Sequence, residues 1–146
     1  NAWYDGSTMT LRIIDTVDLG IAVDTPDGLF VPVLRKINER SVDNIRQGLD
    51  KLRADVKSRT IPPKELSGAT ITLSNFGTIA GRYGNPVVMP PTVSILGAGK
   101  IYDAVVPFKG KPTIHSVLPL SLSFDHRVVT GGEAARFMAI VIICPA

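Results

Sequence analysis

The sequence predicts a single domain of the α/β or α+β class. Short apolar runs rich in β-branched residues outnumber helical patterns, and one segment has clear helical spacing. Strand and helix signals come in mixed order along 146 residues, a length that suits one domain. Hydrophobic residues make up 45% and charged residues 20%, a balance that supports a packed core and rules out general disorder.

In chain order, residues 11–14, 19–23 and 29–34 read as strands. Thr25-Pro26-Asp27-Gly28 between the last two has the composition of a tight turn, with Pro presetting φ and Gly free to take a positive φ. Pro32 inside an apolar run points to an edge strand or a bulge. Val42, Ile45, Leu49, Leu52 and Val56 then step by three and four, so they share one face of a helix. Ser41 stands at the N-cap position, and Pro62-Pro63 blocks any continuation. The charged residues between those apolar positions form a solvated outer face. After Gly68 the strand pattern returns at 70–73, 93–96, 104–108 and 114–124. A Gly- and Pro-rich loop over 74–91 divides the first two of these. Loops of that length in compact domains are usually functional or disordered, and its prolines and glycines argue for a constrained path. A last helix is expected to begin near Gly132 or Glu133 and to include Ala134, Ala135, Phe137 and Met138.

Several function classes drop out. Net charge is +3 with no basic stripe, so no nucleic-acid footprint is present. A single cysteine, Cys144, leaves no partner for an internal disulfide and no thiolate zinc site, and fits a reducing compartment. The longest apolar run, 137–144, is far short of the roughly 20 residues of a membrane span. Asn1-Ala2-Trp3, with no initiator Met, reads as the interior of a longer protein. Gly97-Ala98-Gly99-Lys100 fails as a phosphate loop because Ser94 stands at the required glycine and Ile101 at the required Ser or Thr; Gly77, Gly81 and Gly84 miss the dinucleotide spacing. No metal is expected, since His115 and His126 lack a nearby ligand set. His115 reads as a sheet-face residue. His126 is different: it follows the strand at a junction leading to Gly131-Gly132, where an imidazole can face a cleft and act as a general base.

The residues around His126 carry a resemblance. Residues 121–137, from Ser121-Leu122-Ser123-Phe124-Asp125-His126-Arg127 through Thr130-Gly131-Gly132, resemble the closing signature of the dihydrolipoamide acyltransferases, which contains H-x-x-x-D-G. Three more stretches agree in the right order. Residues 19–33 resemble the family's G-I-A-V-D-T-P-x-G-L-x-V-P-V, residues 70–77 its T-x-T-[IL]-S-N-x-G, and residues 86–97 its P-x-x-x-P-P-x-x-x-[IL]-L-G. Each motif is weak alone; four in order, spanning roughly Asn1 to Phe137, are specific.

The resemblance implies an α/β fold like chloramphenicol acetyltransferase, a two-layer sandwich of mixed sheet and flanking helices. It implies that 1–146 is part of a catalytic domain, whose N-terminal part, peripheral-subunit-binding domain and lipoyl domains lie elsewhere. The implied reaction moves an acyl group from a dihydrolipoyl thiol to coenzyme A, a substrate, with lipoate carried on a separate lipoyl domain and no metal. His126 would be the base and Ser74 the donor to the oxyanion; the two would meet across a subunit boundary. Thr130 stands at the signature's Asp and cannot supply its charge. Asp24, Asn75, Gly99 and Ile101 fall at positions that touch the cofactor in related acyltransferases, Gly99 because no Cβ blocks close approach. The implied partners are two further copies in a homotrimer, a 24- or 60-subunit core, lipoyl domains, and the decarboxylase and dihydrolipoamide dehydrogenase components, in bacterial cytoplasm or the mitochondrial matrix. Ser74-Asn75-Phe76-Gly77 looks more like the acetyl and branched-chain members than the succinyl ones. Two other readings stand beside this: a structural core subunit weakened at Thr130, and a coenzyme A-binding module resting on 97–100. After Phe137 the family's helix carries charged residues, whereas 138–146 here is apolar.

Overall fold

The computed structural model describes residues 1–143; Cys144, which ends the apolar run, lies outside them with Pro145 and Ala146. Among the described residues the strands are β1 (Ala2–Asp5), β2 (Thr10–Ile13), β3 (Leu19–Ile21), β4 (Val23–Thr25), β5 (Gly28–Phe30), β6 (Val33–Leu34), β7 (Ile71–Asn75), β8 (Ser94–Ala98), β9 (Tyr102–Phe108), β10 (Lys111–Val117) and β11 (Leu120–Phe124). The helices are α1 (Val42–Lys57), between β6 and β7, and α2 (Gly131–Ile143), after β11.

A mixed five-stranded sheet in the order β11-β8-β7-β3-β6 forms the centre. Its middle pairs, β3 with β7 and β7 with β8, are parallel, and the outer strands β6 and β11 run antiparallel to their neighbours. Parallel neighbours require a crossover as long as the strands themselves. Helix α1 lies in the first crossover, and the loop over 76–93 is the second, which is why that loop is long. It is not floppy. A 3-10 turn at Phe76–Thr78 opens it, the Lys100 amide donates to the Gly81 carbonyl at 2.8 Å, and the Arg82 guanidinium lies 4.1 Å from the centroid of the Tyr102 ring.

Helix α1 starts where its cap predicts, with the Ser41 hydroxyl accepting from the Asn44 amide. It stops at Lys57 with Ser58 as C-cap, five residues before Pro62. Of its apolar positions, Val56 is buried and Ile45, Leu49 and Leu52 are half-buried, but Val42 is 82% exposed. Helical spacing thus marks a face that tertiary packing only partly uses. Two expected strands are broken. Residues 19–23 divide at Ala22, where β3 leaves the sheet and β4 turns into a hairpin with β5 through Gly28 at φ 125. Residues 114–124 divide at Leu118-Pro119, so β10 pairs with β9 in a separate ribbon while β11 joins the central sheet. The expected edge at Pro32 holds, because β6 ends the sheet order and the Pro32 carbonyl accepts from the Ile21 amide at 2.9 Å.

Strand β1 has no local signal. It pairs with β2, bridges Thr92 through Trp3, and sends the Trp3 indole N–H to the Ala69 carbonyl at 2.7 Å. Its Ala2 and Tyr4 bury against Val93, with Val128 and Val129 packed beneath. His115 occupies a sheet position on β10, its ring 5.1 Å from that of Phe108.

Candidate active site

The carboxyl ends of β3, β7 and β8 gather one set of candidate residues. Ser74 and Asn75 close β7, with Ser74 half-buried and opposite Gly97 of β8. Asp24 is exposed on β4, which leaves β3 at the same end, and Gly99 and the exposed Ile101 follow β8 directly. In open sheets with parallel strands, ligands bind outside the carboxyl ends, where the loops diverge. The backbones here approach very closely. A Cβ on Gly77 would stand 2.1 Å from the Gly99 carbonyl, and one on Gly99 would stand 2.0 Å from the Arg82 carbonyl. The missing Cβ of Gly99 thus makes room for the chain's own crossover loop. A cavity of about 240 Å³ borders Asp24, lined also by Thr25, Pro26, Phe30, Val56 and Lys57. An Arg59–Asp27 ion pair at that cavity ties the end of α1 to the β4–β5 turn.

His126 and Thr130 sit at the other end of the sheet. In the β7-β8-β11 register, Ser74 is level with Gly97 and Ser121, whereas Phe124 is level with Ser94. His126 lies two residues past Phe124. Phe124 thus stands three residues beyond the level of Ser74, two strands away, and His126 follows in the turn after β11. The structure therefore brings Asp24, Ser74, Asn75, Gly99 and Ile101 to one end of the sheet, and His126 and Thr130 to the other. No proton or hydrogen bond passes directly between Ser74 and His126 of the same chain.

The loop bearing His126 is held from both sides. Ahead of it, Asp125 and Arg127 form a forked pair, with the Arg127 Nη2 donating to Asp125 Oδ2 at 2.6 Å and Nε to Oδ1 at 2.9 Å. The Arg127 guanidinium holds the Asp125 carboxyl below the ordinary carboxylate range, and it also lies 4.7 Å from the Tyr4 ring centroid. Behind it, Glu133 Oε2 accepts from the Thr130 amide at 2.8 Å and the Thr130 hydroxyl at 2.7 Å. Those two bonds hold the Glu133 carboxyl below its ordinary range. The His126 ring itself is exposed and tilts 41° against Phe124 at 5.6 Å. Sequence reasoning missed Glu133 as part of this loop. The signal was present for Glu133, because Thr130-Gly131-Gly132-Glu133 is a Ser/Thr-x-x-Glu capping pattern.

Comparison with known proteins agrees with the motifs. The family model described as 2-oxoacid dehydrogenases acyltransferase (catalytic domain) matches residues 1–142. The acetyltransferase component of the pyruvate dehydrogenase complex of Mycoplasma pneumoniae is 35% identical over 94% of this chain, and the mitochondrial succinyltransferase component of the 2-oxoglutarate dehydrogenase complex of Mus musculus is 32% identical over 94%. The chain spans only 34% and 30% of those two proteins. A crystal structure of Azotobacter vinelandii dihydrolipoamide acetyltransferase superposes with TM-score 0.89 at 37% identity, covering 97% of this chain and 58% of that one. That structure was solved to examine the catalytic roles of a serine, a histidine and an asparagine. The serine and histidine stand 52 positions apart and the asparagine four beyond the histidine, the spacings of Ser74, His126 and Thr130. The cubic core of a pyruvate dehydrogenase complex superposes with TM-score 0.88 at 38% identity, over 95% of this chain and 57% of that one. Chloramphenicol acetyltransferase shares the fold at TM-score 0.55 and 16% identity, over 96% of this chain and 66% of that one.

Proposed function

The chain belongs to the family of 2-oxoacid dehydrogenase acyltransferase catalytic domains, and we propose that it transfers an acyl group from a dihydrolipoyl thiol to coenzyme A at sites shared between subunits. One observation carries this: the serine and histidine with the spacing of the Azotobacter pair lie at opposite ends of one sheet, so a working site needs Ser74 of one copy beside His126 of another. A symmetric ring closes such head-to-tail contacts into equivalent sites, and the likeness to a cubic core supports assembly of that kind.

In this reading the His126 imidazole takes the proton of the coenzyme A thiol, which near pKa 8.5 is mostly protonated at neutral pH. The thiolate sulfur bonds to the thioester carbon, and the carbonyl electron pair moves onto oxygen. The Ser74 hydroxyl donates to that oxyanion. As the carbonyl reforms, the bond to the dihydrolipoyl sulfur breaks, and that sulfur takes the proton from the His126 imidazolium. Asp24, Asn75, Gly99 and Ile101 line the coenzyme A side, at the Ser74 end of the sheet. Lipoate arrives on a lipoyl domain, and the decarboxylase and dihydrolipoamide dehydrogenase components are the other partners. Location follows the complex, in bacterial cytoplasm or mitochondrial matrix.

Complementation tests the shared site. Ser74→Ala and His126→Ala variants of the full-length protein are each expected to be nearly inactive. After dissociation and reassembly as a 1:1 mixture, about a quarter of the boundaries pair an intact serine with an intact histidine, so activity returns to roughly that fraction. Mixed assemblies that stay inactive would sink the proposal. Among acyl groups, acetyl or branched-chain is favoured on Ser74-Asn75-Phe76-Gly77, and a higher kcat/KM for succinyl-dihydrolipoamide overturns that ranking.

A further inference from the structure

We propose that Glu133 is the positioning residue of the loop that carries His126, acting through a reciprocal cap with Thr130. This rests on the acyltransferase reading above. The first turn of α2 contains Gly131 and Gly132, the weakest helix formers short of proline. What starts the helix instead is a pair of exchanged hydrogen bonds. The Thr130 hydroxyl accepts from the Glu133 amide at 3.3 Å, while the Glu133 carboxylate reaches back to the Thr130 amide and hydroxyl at 2.8 and 2.7 Å. The Thr130 carbonyl takes the first helical bond, from the Ala134 amide at 3.0 Å.

Thr130 directly follows the turn in which the Val128 and Val129 amides donate to the Asp125 carbonyl at 3.1 and 3.0 Å. His126 lies inside that turn. Among the described residues no group hydrogen-bonds its imidazole, which leaves the turn backbone and the Phe124 ring, 5.6 Å away, to position it. The Asp125–Arg127 fork fixes one end of the turn, and the Glu133 carboxylate fixes the other. A carboxylate three residues along thus supplies the negative charge that the signature's Asp would hold at position 130. It binds the threonine that stands there. Glu133 touches no reacting atom; it acts on His126 through Thr130.

The test uses the assembled full-length protein, assayed for transfer from acyl-dihydrolipoamide to coenzyme A, with amide hydrogen exchange as a second readout. Glu133→Ala and Thr130→Ala are each expected to lower kcat about tenfold with both KM values within about twofold, since a misplaced base slows chemistry without weakening binding. The double variant is expected to lose no more than either single one, because both changes break the same unit. Thr130→Ser, which keeps the hydroxyl, recovers most of the loss. In Glu133→Ala the amides of Thr130 and Glu133 exchange faster while those of β8 do not. Adding Gly132→Ala to Glu133→Ala restores helix propensity without the cap; a return of kcat there would mean that helix stability alone matters, and would overturn the proposal. Wild-type kcat despite faster exchange at Thr130, or losses that multiply in the double variant, would also overturn it. If the wild type shows no His126-dependent transfer, the acyltransferase reading fails, and exchange across 126–130 then decides by itself whether Glu133 holds the loop.

Discussion

Thr130 and Asp5 each concentrate a chemical decision in one side chain. At Thr130, the hydroxyl donates a hydrogen bond to the Glu133 carboxylate. Replacing it by aspartate removes that donor and sets two carboxylates in contact, where one is disfavoured as an anion. Thr130→Asp is therefore expected to lower kcat and to raise the Glu133 carboxyl toward or above its ordinary value, read by carboxyl NMR titration. A gain of about tenfold in kcat, near 1.4 kcal/mol of transition-state stabilisation, would show the opposite. At Asp5, the Ser7 hydroxyl and amide donate to one carboxylate oxygen at 2.6 and 2.8 Å. Those bonds to Ser7, with further ones to Thr8, pull the Asp5 carboxyl from 3.8 down to about 2. A depressed carboxylate stabilises the fold above its unfolded value and loses that contribution as pH falls toward the folded one. Denaturation midpoints should accordingly fall between pH 4 and pH 2, and fall less in Asp5→Asn.

At the scale of elements, one arginine joins pieces far apart in sequence. Arg35, just after β6, donates to Asp18 at 3.2 Å and to the Lys64, Ser67 and Gly68 carbonyls at 2.8, 2.7 and 3.2 Å, and it pairs with Glu65 at 3.5 Å. It pins the segment between α1 and β7 to the entry of β3. Thr70, buried at the start of that strand pair, adds an exchange with Asp18, whose amide donates to its hydroxyl at 2.9 Å. Losing charge-assisted bonds at a group one-third exposed costs about 2 kcal/mol. Arg35→Ala is expected to lose that much in urea unfolding, and Arg35→Lys to recover little of it, since an ammonium cannot span several carbonyls in one plane. A change below about 0.5 kcal/mol would show that the segment is held by packing.

At the scale of the whole chain, large apolar side chains stand exposed in several places: Val87 and Met89 on the crossover loop, Val105 and Ile114 paired on the β9–β10 ribbon, and Ile140 and Ile142 on α2 are all more than half exposed. A two-stranded ribbon is marginal by itself in water, and residues 137–143, the second half of α2, carry no polar side chain, a pattern that belongs in an interior. In the proposed assembly, neighbouring copies would cover such surfaces and bring the Ser74 end of one sheet to the His126 end of another. Dilution or mild denaturant that separates the copies should abolish transfer while much of the secondary structure persists, and reconcentration should restore both. Activity that follows the monomer in analytical ultracentrifugation would refute this.

Local chemistry made much of this protein legible in its sequence. The α1 face and Ser41 cap, the Thr25–Gly28 turn, the edge at Pro32 and the family motifs all depend on residues within about one helical turn or one hairpin of each other. The Thr130–Glu133 cap belongs to the same class, and was readable from four consecutive residues. Tertiary structure decided what depends on partners distant along the chain. Strand β1 pairs locally with β2, but its burial against Val93 and its bridge to Thr92 are distant contacts, and the breaks at Ala22 and Leu118-Pro119 reflect which neighbour each half-strand finds. The separation of Ser74 from His126 is of this kind too. Two strand ends 52 positions apart in sequence carry no record of which end of a sheet they reach; pairing direction alone sets that, because an antiparallel β11 carries its last residues away from the carboxyl ends of its parallel neighbours.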